Sequence, residues 1–239
     1  MNLRIVSALS LSLLWAGHSH AEISANLTAT SNYVFNGVSY SNGNPAIQGG
    51  LDWNTDAGWY LGTWATSIDY APFGFRDDKA EVDYYGGFAG QLTEQFGYDL
   101  GINFFTYPGI DDGANESDYY ELYGSLSFEE NTSLKLSYSP DYSGEVGKSL
   151  ILLANHSIAL PQDFSLLLEA SYTQLLDNDN FQDSYWFGDD HYTHWGVGLA
   201  RTFYGFDTSL KYSDTDASSS HDPDDIAGPQ LSFSVGRVF

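Results

Sequence analysis

The sequence predicts an all-β fold: a single transmembrane antiparallel up-and-down β-barrel of about twelve strands, with the N and C termini both periplasmic. Three observations carry this prediction. Alternating apolar and polar residues recur in short stretches. The connections between the stretches alternate short and long. Aromatic residues gather at the stretch ends.

The first stretch puts Ala25, Leu27, Ala29, Tyr33 and Phe35 on one face, and Asn26, Thr28, Thr30 and Asn32 on the other. A period of two is the period of a strand. Later stretches fall near 46–54, 59–70, 80–90, 96–107, 119–128, 132–139, 148–159, 164–175, 191–203, 206–213 and 229–239. Most approach the roughly 9–11 residues that a tilted membrane strand needs.

Short connections fall at Thr55-Asp56-Ala57-Gly58, Leu92-Thr93-Glu94-Gln95, Glu129-Glu130-Asn131, Leu160-Pro161-Gln162-Asp163 and Tyr204-Gly205. Long ones fall near 37–45, 71–79, 108–118, 140–147, 176–190 and 214–228. A chain entering from the periplasm sends its first strand outward, so its odd-numbered connections are external. Here those are the long ones, as in outer-membrane barrels. A soluble sandwich has no reason to keep such alternation.

Aromatics fit two interfacial girdles. Trp53, Trp59, Phe96, Phe128, Phe164, Phe203, Phe206 and Phe239 mark the expected periplasmic ends. Tyr33, Phe35, Tyr70, Tyr107, Tyr120, Tyr138, Tyr172, Tyr192 and Tyr212 mark the outer ones. Ordinary strand enrichment explains the abundance of rings but not their clustering at stretch ends.

Residues 1–21 read as a secretory signal peptide, which leaves 22–239 as the barrel. Arg4 supplies the positive start, Ile5 to Ala16 a short apolar run, and Ser19-His20-Ala21 a small-residue cleavage pattern. The chain has no Cys, which excludes a lipoprotein anchor, a disulfide framework and a thiolate nucleophile. The 8 Lys+Arg against 32 Asp+Glu exclude nucleic acid as a partner, since phosphates are repelled. The implied location is the outer membrane of a Gram-negative cell. The implied partners are its lipid and lipopolysaccharide. Phe239, with Val235, Phe233 and Leu231 at steps of two, resembles the terminal signal read by the barrel assembly machinery.

The runs SNYVFNGVSYSNGNPAIQGGLDW, GWYLGTWATSID, EVDYYGGFAG, YDLGINFFTYPG and YYELYGSLSF resemble the TorF family of porin-type proteins. These are exported barrels whose substrate is not established. The resemblance covers most of the chain after residue 21 and is strongest over 29–70. It departs at Asn36, where the family often has Arg, and at Tyr40, where it often has Gln. It implies fold and location and carries no catalytic residues.

If the apolar parity faces lipid, the other parity faces the lumen. That set includes Asn26, Asn32, Gln48, Tyr85, Asn103, Tyr123, His194 and Gln230. Its charged members are Asp52, Asp69, Glu81, Asp83, Asp99, Glu121, Lys135, Glu169, Asp207 and Lys211. Carboxylates are costly against lipid and cheaper inward. An interior dominated by them attracts cations and repels anions. The pattern therefore implies a passive, cation-preferring channel for ions or small hydrophilic solutes, with no cofactor and no metal. Acidic sugars are excluded by the same charge.

Two other readings are weighed. One is a plugged structural or receptor barrel with acidic surface loops, since small barrels can be filled by side chains. The other is a barrel hydrolase. Gly196 stands two residues after His194, where a nucleophilic Ser would be expected, and His156 and Ser157 point oppositely on one strand. No nucleophile–base pair is apparent from spacing. His191 and His194 likewise fall on opposite faces. Asp177-Asn178-Asp179-Asn180 begins like a calcium loop but lacks its later Gly and Glu.

Overall fold

The computed structural model describes residues 21–69, 80–108, 118–143, 147–176, 189–217, 222 and 225–239. The strands are β1 (Glu22–Thr30), β2 (Val34–Phe35), β3 (Val38–Ser39), β4 (Ala46–Asn54), β5 (Trp59–Ser67), β6 (Ala80–Gln91) and β7 (Phe96–Thr106). They continue as β8 (Tyr119–Phe128), β9 (Thr132–Ser139), β10 (Ser149–Ala159), β11 (Phe164–Leu175), β12 (His191–Phe203), β13 (Phe206–Thr215) and β14 (Gln230–Val238). β1 and β4–β14 form a closed antiparallel barrel in sequence order. Its seam joins β1 to β14 from Asn26↔Val238 to Thr30↔Ser234. Closure pairs every strand on both sides, so no sheet edge is left open.

The predicted strands are found with small shifts at their ends. The tight turns also fall where the sequence places them. Tyr204 and Gly205 both take positive φ, 50° and 82°, the backbone of a two-residue hairpin whose twist matches its flanking strands. The end carrying these turns is called the turn end, and the opposite one the loop end.

Alternation decides the two faces. Leu27, Leu51, Leu61, Leu100, Leu122, Leu136, Leu152, Leu199, Leu210 and Phe233 stand exposed on the outside. The inward positions are mostly Ser, Thr, Gly, Asn, Tyr and charged residues. This inverts a soluble protein, which hides such residues. Trp53, Trp59, Phe96, Phe128, Phe203, Phe206 and Phe239 ring the turn end on the outer surface. Tyr120, Tyr172 and Tyr212 do so at the loop end.

The outer girdle is smaller than expected. Tyr33, Tyr107 and Tyr192 are buried inside the barrel, and Phe35 packs against the same core. Tyr107 and Tyr192 share the inward parity of Phe105 and His194, so position at a strand end misleads where parity does not. For Tyr33 and Phe35 the reason is different. The first strand ends at Thr30 rather than running to Phe35. The chain then turns inward. Tyr70 lies outside the described residues.

Candidate functional site

The inward turn begins where the Thr30 hydroxyl donates to Asn32 O, pinning a bend. β2 and β3 follow as a minimal hairpin, with Val34↔Ser39 and Phe35↔Val38 paired. Asn36 and Gly37 form its tip at φ 47° and 86°. An Asn-Gly pair between apolar residues favours this turn because both positions need positive φ. A Cβ built on Gly37 would lie 2.4 Å from Thr215 Cγ2 and 2.8 Å from His194 Cδ2. The tip therefore reaches β13 and β12, while Phe35 meets Phe105 of β7 at 6.4 Å on the other side, so the hairpin lies across the lumen between those walls.

Hydrogen bonds hold the hairpin there. Ser39 and Ser41 hydroxyls donate to Asn32 Oδ1 at 2.6 and 3.1 Å. Asn32 Nδ2 donates to Gln230 Oε1 at 2.8 Å. Ser39 N donates to Ile226 O at 2.7 Å. A second inward segment meets it from the last long connection. Asp222 accepts from Ile226 N at 3.0 Å and from Ala227 N at 2.8 Å. Tyr142 joins from the β9–β10 connection.

Together these fill the loop-end half of the barrel. Tyr33, Val38, Tyr40, Trp64, Phe105, Tyr119, Tyr142, Tyr192 and Ile226 form one buried cluster. Phe105 and Tyr119 stack at 4.5 Å, and Tyr142 meets Tyr119 edge-on at 5.1 Å. Desolvation and the nearby Glu81 carboxylate push the Tyr33 hydroxyl well above its ordinary range, so it stays a neutral donor.

The candidate charged residues divide around this plug. Glu81, Asp83 and Glu121 face inward from β6 and β8 and are sealed beneath it, at 2%, 0% and 3% exposure. Glu81 Oε2, both Asp83 carboxylate oxygens, Asn103 Oδ1 and Glu121 Oε1 are buried without a hydrogen-bond partner. Asp69 lies just beyond β5, where Asn44 Nδ2 donates to it at 3.2 Å. Asp52, Asp99, Lys135, Glu169, Asp207 and Lys211 also face inward and are half-buried. The Tyr85 hydroxyl donates to Asp52, and the Tyr60 hydroxyl to Asp99 at 2.6 Å. Tyr60 also bonds Tyr123. Lys135 lies over the Tyr123 ring at 5.4 Å. Tyr123 stands over Gly101, where an added Cβ would come within 2.6 Å of its ring, so glycine makes room for the tyrosine. Thr202 donates to Asp207 at 2.6 Å.

On the facing wall Lys211 donates to Glu169 at 2.6 Å, and His194 Nε2 lies 3.4 Å from the same oxygen. The Ser171 hydroxyl is 3.3 Å from His194 Nδ1. This corrects the sequence reading, which finds no Ser–His pair. The β11–β12 register aligns Ser171 directly with His194, a cross-strand match that spacing within one strand cannot show. His194 has 0% exposure and Ser171 is also buried, with the hairpin tip over the histidine. Glu169 is already paired with Lys211. The group works as an internal tie between β11, β12 and β13. His191 points outward and bonds Asp190 at 2.7 Å. Among the described residues no group of three or more His, Cys, Asp or Glu could hold a metal ion. The Asp177–Asn180 segment lies outside them.

A family model described as a bacterial protein of unknown function, Gcw_chp, matches residues 15–239. The chain belongs to the Gcw_chp family. No curated protein matches this Gcw_chp chain in sequence. Solved barrels do match in structure. A KdgM porin is 11% identical with a TM-score of 0.51, covering 90% of this chain and 96% of that one. A NanC porin is 13% identical with a TM-score of 0.54, covering 91% and 98%. LpxR from Salmonella typhimurium is 9% identical with a TM-score of 0.50, covering 90% and 99%. At such identities these likenesses speak to the fold. Over about nine-tenths of its length the Gcw_chp chain shares its fold with these porins and with LpxR.

Proposed function

We propose that this Gcw_chp chain is a gated, porin-like channel of the outer membrane that passes small cations or small hydrophilic solutes. The observation that carries the reading is the inverted barrel: a closed cylinder with leucines outside and hydrogen-bonding groups inside. Only hydrocarbon makes that arrangement favourable, and only a closed sheet satisfies its backbone there. The turn end faces the periplasm, after removal of residues 1–21 on export. Phe239 serves in assembly. The TorF resemblance of residues 29–70 fits the same role.

Cation preference follows from the inward charges. Asp52, Asp99 and Asp207 are reached by water in the turn-end half, where Lys135 is the opposing charge and Lys211 is neutralised by Glu169. The plug supports gating, because the hairpin is a separate element that crosses the lumen and is held by hydrogen bonds. A non-conducting barrel is the second reading, and the completeness of that same plug favours it.

Reconstitution into planar bilayers tests both. The expected result is brief openings whose reversal potential in a potassium chloride gradient has the sign of cation selectivity. That selectivity should weaken as salt screens the lumen field. Anion selectivity overturns the charge argument. Silence, both in the wild type and after residues 34–39 are replaced by a glycine-serine linker, overturns the channel.

A further inference from the structure

We propose that the outer rim of the turn end carries a binding site for the phosphate of an anionic phospholipid, formed by Arg201 and Arg237 and their flanking phenylalanines. The inference rests on the membrane reading above. Arg201 on β12 contacts two rings on the outer face, Phe164 at 4.9 Å and Phe203 at 4.6 Å. Arg237 on β14 does the same with Phe206 at 5.6 Å and Phe239 at 5.4 Å. Phe203 pairs with Phe206 across the β12–β13 ladder, so the two clusters adjoin. Two strand spacings separate the arginines laterally, on the order of 10 Å.

The charge context makes this pair unusual. The chain has 32 acidic against 8 basic residues. A cation at the surface of such a chain has many potential partners within it. Yet among the described residues neither arginine has a carboxylate at ion-pair distance, whereas the inward Lys211 does. The nearby Asp207 faces the lumen and is held by Thr202. Arg201 Nε is buried and has no hydrogen-bond partner. With Nε covered, an acceptor from outside the chain meets the paired Nη groups.

The place selects the acceptor. Both guanidinium groups sit in the turn-end aromatic girdle, at the depth where lipid headgroups meet acyl chains. Guanidinium binds phosphate oxygens through paired N–H donors. The phenylalanines hold the guanidinium groups by cation–π contact and supply an apolar floor for the glycerol and upper acyl carbons. In a chain of net charge −24 an anionic lipid is otherwise repelled, so these two residues create a local exception.

The test is thermal unfolding of the barrel, followed by heat-modifiable gel mobility. The protein is compared in phosphatidylcholine bicelles with and without phosphatidylglycerol, and in dodecylmaltoside with inorganic phosphate. The wild type should gain roughly 5 °C with phosphatidylglycerol, and nothing with inorganic phosphate. R201Q/R237Q should fold, insert in phosphatidylcholine and lose that gain, while R201K/R237K should keep only part of it. A wild type that inserts but ignores phosphatidylglycerol overturns the site, as does a glutamine variant that keeps the full gain. An equal gain from inorganic phosphate shows a simple anion site and overturns the lipid assignment. A wild type that enters no bilayer overturns the membrane reading itself, and the site with it.

Discussion

In the loop-end half of the lumen Tyr33, Tyr40, Phe105, Tyr119 and Tyr142 pack into a dry core, whereas in the turn-end half Asp52, Asp99, Lys135 and Asp207 keep contact with water. The same twelve strands wall both halves, so the wall does not set the difference. The two segments that turn in from the loops do. Where the hairpin crosses, Glu81, Asp83, Asn103 and Glu121 have lost solvent while at least one oxygen of each lacks a hydrogen-bond partner. Below it the carboxylates keep tyrosine donors or a lysine. A buried polar group without a partner costs about 1–3 kcal/mol. The closed half therefore carries destabilising contacts that the packed rings must offset. On the gated reading proposed above this is the element that moves, since among the described residues no segment crosses the turn-end half.

The largest expected effect comes from Val38→Asp. Val38 is fully buried within the apolar cluster of the plug. An unpaired charge there costs the closed arrangement about 3–5 kcal/mol. A shift of that size moves a closed–open equilibrium by roughly a hundredfold or more. The variant should raise the open fraction in single-channel records by at least that order, with the barrel intact by gel mobility. Unchanged closure would mean that the two halves are one rigid body.

Gly37→Val acts on the same element more weakly. Its Cβ would meet Thr215 on β13 and His194 on β12, and its φ of 86° disfavours a β-branched residue. Strain of this kind costs about 1–3 kcal/mol. The open fraction should rise roughly tenfold, and Ser39 and Val38 amides should lose protection in hydrogen exchange. Exchange unchanged at those amides would place the tip away from β12 and β13.

These two residues also show what the sequence could and could not reveal. Strand positions and tight turns were legible, because an alternation of two leaves little freedom once one face must be apolar. The inward charges were legible for the same reason. The plug was not. Tyr33 and Phe35 continue the apolar parity of Ala25, Leu27 and Ala29, and periodicity cannot distinguish a ring against lipid from a ring in a core. The signal available was Asn36-Gly37 between Phe35 and Val38, a short hairpin inside what the alternation reads as strand and loop. The Ser171–His194 contact was hidden differently, since it depends on register between β11 and β12.

The smallest effects sharpen the comparison most, because the two halves should answer the same neutralisation in different ways. Asp52 is half-buried in the turn-end half and accepts from the Tyr85 hydroxyl. Asp52→Asn should leave the open fraction unchanged and lower cation preference. A unit charge several ångströms from the ion path in a largely aqueous lumen is worth about 0.5–1 kcal/mol, or roughly two- to fivefold in permeability ratio. Asp83 is sealed, with neither oxygen bonded. Asp83→Asn removes a carboxyl whose charged form only the open arrangement can hydrate. It should therefore lower the open fraction by roughly tenfold, corresponding to about 1–3 kcal/mol, and stabilise the barrel against heat. Equal changes in selectivity with no change in gating from both variants would show that water reaches Asp83 as freely as Asp52. The lumen would then be continuous, and the hairpin would be a lining rather than a gate.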